Sequence, residues 1–525
     1  MCRVRRMLPA LLLVLAAVAL PAPVWASPLT TGTSAGATSY PPIAPGPATV
    51  LPDFIGAAAT AHPLRDAGVP QDPHLGRIPY CYIHDDGWNS DTSSGPGPRG
   101  CDLETVSSTL GLPAVLQWAS STSSIAFDSH GRLVVSFMQD GLVTGMDVLL
   151  VDPVSLDVLC SYSAGTSSIG NAYFYVDDHD RVVIVTGPRT ITTLREGGTS
   201  AAPTLESVPR MQYDLSQVVP SDDRLAGLLV DWSGRIWFET AGVGATAGPR
   251  VGVIDPAAWP RVRWAQLGAG EQISNGMAVT SSGTFVLTSR ALYKLVAGSD
   301  DRPRVVWRAG YDTSDTVKPG QLSLGSGTSP TVLGGGDYVA INDSATPMKV
   351  VVFRTASTLM RGQSRLVGAM PVFEGMAGQA CANSLLGYRD SIVVENNYGH
   401  LDAYDENGFL TSTPNLPGLE RIDVKPGGAG LRKVWVNDQV ASVSVPKLST
   451  RTGLIYVVER QQDRQNGVDA YYWTALDFRT GKAVWRKLLG TGIYYDGYWS
   501  TTALGPDDAY CVAAWGGLAA IKDGD

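Results

Sequence analysis

Ser124-Ile125-Ala126-Phe127-Asp128-Ser129-His130-Gly131-Arg132-Leu133-Val134-Val135-Ser136-Phe137 is an apolar run, a turn rich in Asp, Ser and Gly, and a second apolar run. Runs of β-branched and aromatic residues bounded by such a turn read as two strands of a hairpin. The same phrase returns at Asp177-Asp178-His179-Asp180, Asp231-Trp232-Ser233-Gly234, Ser281-Ser282-Gly283, Gly334-Gly335-Gly336, Tyr388-Arg389-Asp390, Arg451-Thr452-Gly453 and Pro506-Asp507-Asp508. Successive turns end 49, 54, 49, 53, 54, 63 and 55 residues apart. Each interval is the length of a four-stranded propeller blade with its connections. The reading is all-β: a single β-propeller of eight blades, each of four antiparallel strands. Seven blades is the alternative count, with the turn at Gly334 to Gly336 or at Tyr388 to Asp390 lying in an insertion.

The last blade supplies three strands, Thr501 to Leu504, Ala509 to Ala514 and Leu518 to Ile521. Its fourth strand must come from elsewhere, and Ala114 to Ala119 is the expected donor, closing the ring with an N-terminal strand and leaving no exposed edge. Convincing helical periodicity is absent.

Upstream of the repeat, Arg3, Arg5 and Arg6 precede the apolar run Leu8 to Leu20 and the small-residue exit Val24-Trp25-Ala26. This pattern predicts a secretory signal peptide over 1–26 and a secreted, extracellular protein. The apolar run is shorter than the roughly 20 residues a membrane-spanning helix needs, and no later stretch reaches that length. Residues 27–56, dominated by Pro, Ala, Ser and Thr, read as a disordered linker. Residues 57–111 read as an irregular segment packing across one face or the rim, with the propeller occupying 112–525.

Cleavage after Ala26 removes three arginines and no acid, taking the formal charge from −9 to −12. Such a surface disfavours nucleic acid and leaves small molecules, cations or a cell-envelope component as partners of a monomer. Five cysteines follow the signal. Cys81 and Cys101 flank a loop rich in Gly, Pro and Ser, and their pairing as a disulfide is expected. Cys160, Cys381 and Cys511 read as small buried apolar groups.

In a propeller the short A–B turns occupy one face, so the ends of the B strands and the starts of the A strands share the other. Those positions carry Ser136, Thr186, Glu239, Thr288, Asn342 with Asp343, Glu395 with Asn396 and Asn397, and Glu459, with Asn275 heading an A strand. Carboxylate and amide oxygens suit a hard cation, and Asn275, Asp343, Glu395 and Asn396, from neighbouring blades, form the candidate Ca2+ set. Two readings stand for His84-Asp85-Asp86: a loop turn with a solvated histidine, or a cover over the channel mouth that adds ligands. No Gly-x-Ser-x-Gly elbow or recognisable Ser/His/Asp order is present, which disfavours a serine nucleophile.

Ala470-Tyr471-Tyr472-Trp473-Thr474-Ala475-Leu476-Asp477-Phe478-Arg479-Thr480-Gly481-Lys482-Ala483-Val484-Trp485 resembles the pyrroloquinoline-quinone (PQQ) type repeat of the quinoprotein dehydrogenases and their non-enzymatic relatives. The resemblance implies blade-packing roles for Trp264, Trp307, Trp435 and Trp485. Those dehydrogenases also use adjacent cysteines against the quinone, which this chain lacks, so PQQ is disfavoured. Ile273-Ser274-Asn275-Gly276-Met277-Ala278-Val279 is similar to a phrase of gluconolactonase and paraoxonase-like propellers, where the Asn binds a divalent cation. His84-Asp85-Asp86, Lys318-Pro319-Gly320-Gln321 and Val394-Glu395-Asn396-Asn397-Tyr398-Gly399 resemble uncharacterised exported bacterial propellers.

The function read from the sequence is an extracellular binding or scaffold module with Ca2+ in its channel. A cation-dependent lactonase or esterase-like hydrolase is the alternative, and a PQQ-dependent dehydrogenase the third reading.

Overall fold

A computed structural model describes residues 51–108, 121–139, 145–165, 172–200, 202–244, 247–404, 410–463, 468–497 and 501–524. The expected signal peptide (1–26), most of the expected linker and the stretch Ala114 to Ala119 lie outside the described residues.

Eight blades of four strands form the ring, with strands named A to D from the axis outward. Blade 1 comprises Ser121–Phe127, Leu133–Gln139, Gly145–Val151 and Val158–Ser163, and blade 2 comprises Tyr175–Val176, Val182–Gly187, Thr190–Thr199 and Ala202–Asp214. Blade 3 is Leu225–Val230, Ile236–Thr240, Arg250–Ile254 and Val262–Gln266, and blade 4 is Ala278–Thr280, Gly283–Leu287, Ala291–Ala297 and Pro303–Gly310. Blade 5 is Thr331–Leu333, Tyr338–Asn342, Lys349–Arg354 and Leu366–Pro371. Blade 6 is Leu386–Tyr388, Ser391–Glu395, Leu419–Val424 and Leu431–Asn437. Blade 7 is Lys447–Ser449, Leu454–Asp463, Val468–Asp477 and Ala483–Thr491. Blade 8 is Thr502–Leu504, Tyr510–Ala514, Gly517–Lys522 and the N-terminal strand Glu104–Ser108. Helical structure among the described residues is confined to short 3₁₀ turns such as Pro256–Ala258, and no helix there is long and apolar enough to cross a membrane.

The turns at Gly334 to Gly336 and Tyr388 to Asp390 both join A to B strands, which excludes the seven-bladed count. The long interval of 63 residues comes from a hairpin, Leu401–Tyr404 with Leu410–Thr413, inserted between strands B and C of blade 6.

Three A–B turns share one construction. Asp128, Asp177 and Asp231 each accept, through Oδ1, the amides two and four residues on at 2.8–3.1 Å. Through Oδ2 each takes the guanidinium Nε of Arg132, Arg181 or Arg235 at 2.7–2.8 Å. The residue three on has positive φ: Gly131 at 79°, Asp180 at 59° and Gly234 at 77°. Gly and Asp suit that position, since Gly has no Cβ to clash and Asp tolerates the left-handed region better than most side chains.

Central strands are covered on both faces by neighbouring blades, so they read as continuous apolar runs, as in Ile236–Thr240, where all five residues are buried. Trp307 donates Nε1–H to the Thr355 carbonyl of the next blade at 3.4 Å, and Trp435 likewise to Phe478 at 2.9 Å. A side chain at Gly481 would strike the Trp435 ring at 2.4 Å, so the glycine makes room for the indole. Trp485 is fully buried in the core shared by blades 7 and 8, its ring centroid 6.4 Å from that of Tyr456. Trp264 is half-buried under Arg250 of its own blade, whose guanidinium carbon lies 4.3 Å from the ring centroid.

Two expectations are corrected here. The closing strand is Glu104–Ser108, paired antiparallel with Gly517–Lys522 in the register Thr105 to Ile521 and Ser107 to Ala519. Its short polar sequence conceals it, because an outermost strand buries little and needs backbone pairing more than apolar side chains. The Cys81–Cys101 disulfide is absent, and both thiols are free. Cys81 pairs through its carbonyl with Val176 on the innermost strand of blade 2, whereas Cys101 lies at the periphery, its carbonyl accepting from Gly524 after the last strand of blade 8. The loop between them runs from axis to rim, where a disulfide cannot bridge its ends.

Candidate functional site

The inner strands of a propeller present unpaired amides to the central channel, and these need partners. Here the partners come from residues 80–93. Carbonyls of Tyr80, Cys81, Gly87, Trp88, Ser90, Asp91 and Ser93 accept from Phe127, Val176, Val279, Val332, Gly387, Leu448 and Thr450 at 2.6–3.0 Å. Thr92–Ser93 pairs parallel to Lys447–Ser449 as an extra inner strand of blade 7. The segment is a plug that enters from the A–B turn face. Asp85, Asn89 and Asp91 adopt φ of 70°, 55° and 53°, conformations that Asp and Asn tolerate best among side-chain-bearing residues. These three reversals curl the segment so that its carbonyls splay toward the ring. Asp86 fastens the curl, accepting from Trp88 N at 2.8 Å and Ser90 Oγ at 2.5 Å.

Residues 62–79 lie across the A–B turn face as expected, with His62 N bonded to the Thr452 carbonyl and Gly76 N to that of Val176, whereas residues 80–93 enter the channel, and His84 is not solvated: it is 3% exposed. Its Nδ1 lies 3.2 Å from both carboxylate oxygens of Asp91. Lys447, from the inner strand of blade 7, donates to Asp91 Oδ1 at 2.6 Å and to the Ile83 carbonyl at 2.9 Å, and lies 3.3 Å from Asp85 Oδ2. Burial would raise the Asp91 carboxyl, but Lys447 and His84 more than offset it and hold it below its usual range. Asp85 is pushed up to about 8, chiefly by burial against the pull of Lys447. On its other side His84 Nε2 faces Ser384 Oγ at 3.3 Å and Ser329 Oγ at 3.4 Å. The rings of Tyr82 and Tyr173 stand 5.8 and 6.4 Å from the imidazole.

Acids at the ends of B strands form the rest of the site. Glu239 on blade 3 is fully buried, and neither carboxylate oxygen has a hydrogen-bond partner among the described residues. Desolvation pushes its carboxyl well above the ordinary range. Gly227 lies against it, and a side chain there would come 2.7 Å from Oε1. On blade 6, Glu395 Oε1 accepts from the amides of Asn383 and, at 3.0 Å, Asn397. Burial raises the Glu395 carboxyl to about 7 against these donors and Ser442.

The remaining members of the expected cation set are engaged by their own loops. Asp343 Oδ1 accepts from Lys349 N at 2.7 Å and Ala345 N at 3.3 Å, with burial raising it to about 6. Asn396 accepts from Ala380 N and Tyr398 N and donates to the Gly378 carbonyl. Asn275 donates to the Ser326 carbonyl at 3.1 Å, and Ser326 Oγ donates to Asn342 Oδ1 at 3.3 Å. Among the described residues no hydrogen bond joins any two of Asn275, Asp343, Glu395 and Asn396. Sequence reasoning missed the partnership of His84 and Asp91 with Lys447. The available signal was the run of Asp and Asn suited to left-handed turns, which marks a tightly curled segment rather than an open loop.

No family model matches the chain. It is 26% identical over 341 residues to a protein of Archaeoglobus fulgidus described as uncharacterized, a match covering 60% of this chain and 63% of that protein's length. Similar solved structures include a europium-containing methanol dehydrogenase (TM-score 0.45, 14% identity, 83% of this chain and 90% of that one). The quinohemoprotein alcohol dehydrogenase of Comamonas testosteroni is another (TM-score 0.47, 11% identity, 85% and 77%). A putative 6-phosphogluconolactonase of Bacteroides uniformis is a third (TM-score 0.37, 9% identity, 66% and 94%). At these identities the similarity is one of chain fold.

Proposed function

We propose that the chain is an exported propeller serving as an extracellular binding or scaffold module, with a cation such as Ca2+ held in its channel and a small molecule or cell-envelope component as its partner. The observation that carries this reading is Glu239, a fully buried carboxyl with no partner on either oxygen among the described residues. An unpartnered buried acid costs free energy that a bound cation or donor recovers. Glu395, its Oε1 already steadied by two amides, and Asp343 are further acids on that face. Export rests on the pattern of the first 26 residues.

Equilibrium dialysis against Ca2+ with elemental analysis tests the reading. About one ion per chain is expected, with affinity reduced at least roughly tenfold in Glu239→Gln, since removing an anionic oxygen weakens a hard-cation site. Wild-type protein without stoichiometric metal, or an unchanged affinity in the variant, overturns it.

The hydrolase reading draws on Glu395, whose carboxyl at about 7 is poised for proton transfer at neutral pH. Cation-dependent turnover of a lactone panel, abolished in Glu395→Gln, is its expected result.

A further inference from the structure

The plug carries an arrangement that the order of residues along the chain conceals. Asp91, His84 and Ser384 stand in line: carboxylate to Nδ1 at 3.2 Å, and Nε2 to Oγ at 3.3 Å. We propose that Ser384 is the nucleophile of an acyl-transfer site in the channel, with His84 as its general base and Asp91 as the residue that orients the imidazole. This activity goes beyond the binding function and needs no cation.

The charge pattern sets the tautomer. Asp91, bonded to Lys447 at 2.6 Å, is held ionised and can only accept from His84 Nδ1. A neutral imidazole in this setting carries its proton on Nδ1, toward Asp91, and its Nε2 then accepts from a hydroxyl, the arrangement that a serine nucleophile requires. Two hydroxyls compete for that nitrogen. Ser329 is 1% exposed and has Tyr173 as a further hydrogen-bonding partner. Ser384 keeps 6% of its surface open and lies two residues before the inner strand of blade 6, toward the channel end away from the A–B turns. That end is the one the plug does not enter.

The substrate class follows from the walls. Tyr82 and Tyr173 flank the imidazole, and the Lys447 ammonium nearby is already taken by Asp91, Asp85 and the Ile83 carbonyl, so it is not free to receive a substrate carboxylate. The substrate class this assigns is a small ester or lactone without a carboxylate. Ser384 Oγ bonds to the carbonyl carbon as its proton passes to His84 Nε2. The bond from that carbon to the leaving oxygen then breaks, and His84 protonates the departing alcohol. Water repeats the sequence on the acyl-serine, releasing the carboxylic acid and restoring the hydroxyl.

The test is covalent labelling of the mature chain with a small dialkyl fluorophosphate in the presence of EDTA, read by mass spectrometry of the tryptic peptide 366–389, which contains Ser384. One phosphoryl adduct on Ser384 is expected in the wild type and in Ser329→Ala. It should be absent in Ser384→Ala of unchanged melting temperature, and labelling should slow by about 100-fold or more in His84→Gln, the scale of a lost general base. Folded wild-type protein that stays unlabelled, an adduct on Ser329 instead, or undiminished labelling in folded His84→Gln overturns the proposal. Because chelator is present, a negative calcium result leaves this outcome unaffected.

Discussion

The ammonium of Lys447 donates to Asp91 Oδ1 at 2.6 Å, and both side chains are wholly buried. This contact joins the innermost strand of blade 7 to the plug. Lys447→Met leaves Asp91 and Asp85 buried without their cation and should cost about 3–5 kcal/mol in urea unfolding. The double variant Lys447→Met/Asp91→Asn should recover part of that loss, because the uncompensated charge is gone. Limited proteolysis should cut the single variant within residues 62–95 well before the wild type.

Protonation of Glu395 should be visible in stability. Its carboxyl is raised from 4.5 in the unfolded chain to about 7, with Asn383, Asn397, Ser442 and His400 around it. Below pH 4.5 it is neutral in both states; between 4.5 and about 7 the unfolded chain releases the proton first. This group therefore makes stability fall as pH rises across that window, by at most roughly 1.4 kcal/mol per pH unit. Glu395→Gln should remove that slope, measured as the difference between urea midpoints of variant and wild type from pH 4.5 to 7.5.

The tryptophans at one blade position should separate into two classes. Trp485→Ala empties a site in the core of blades 7 and 8 and should cost about 3–5 kcal/mol. Trp264→Ala removes a half-buried ring that stacks on Arg250 and should cost roughly 1 kcal/mol. Thermal melts of the two variants provide the comparison.

Asp231 does more than Asp128, although both build the same turn. Its Oδ2 also accepts from Nε1 of Trp237, a ring only 1% exposed, at 2.8 Å. Asp231→Ala leaves that buried donor unpaired and should be the more damaging of the two alanine variants by about 1–3 kcal/mol in urea unfolding.

Architecture was legible because the turn phrase is local. Asp128, Asp177 and Asp231 satisfy amides within four residues of themselves, and each turn favours Gly or Asp at its positive-φ position, so the repeat survives as a spacing. The hairpin after Glu395 stretched one interval without disturbing the others. The channel was far less legible. His84 reads as a solvated turn residue until Lys447, more than 350 positions away, is seen to neutralise its neighbour Asp91. Glu239 looks like any strand-end acid, since its lack of partners among the described residues is a property of packing and leaves no mark in the local sequence. The closing strand and the free cysteines were misplaced for one reason: the N-terminal segment travels from axis to rim between residues 81 and 104, and nothing in its composition encodes that path.

Glu104–Ser108 pairs with Gly517–Lys522 across more than 400 intervening residues. Glu104–Ser108 must wait for Gly517–Lys522 to be made before the ring can close, and contact order this high makes folding slow. Until then blade 8 holds an open edge and the plug has no complete ring to fill. A chain wired this way stays threadable until both partners of that pairing have been made.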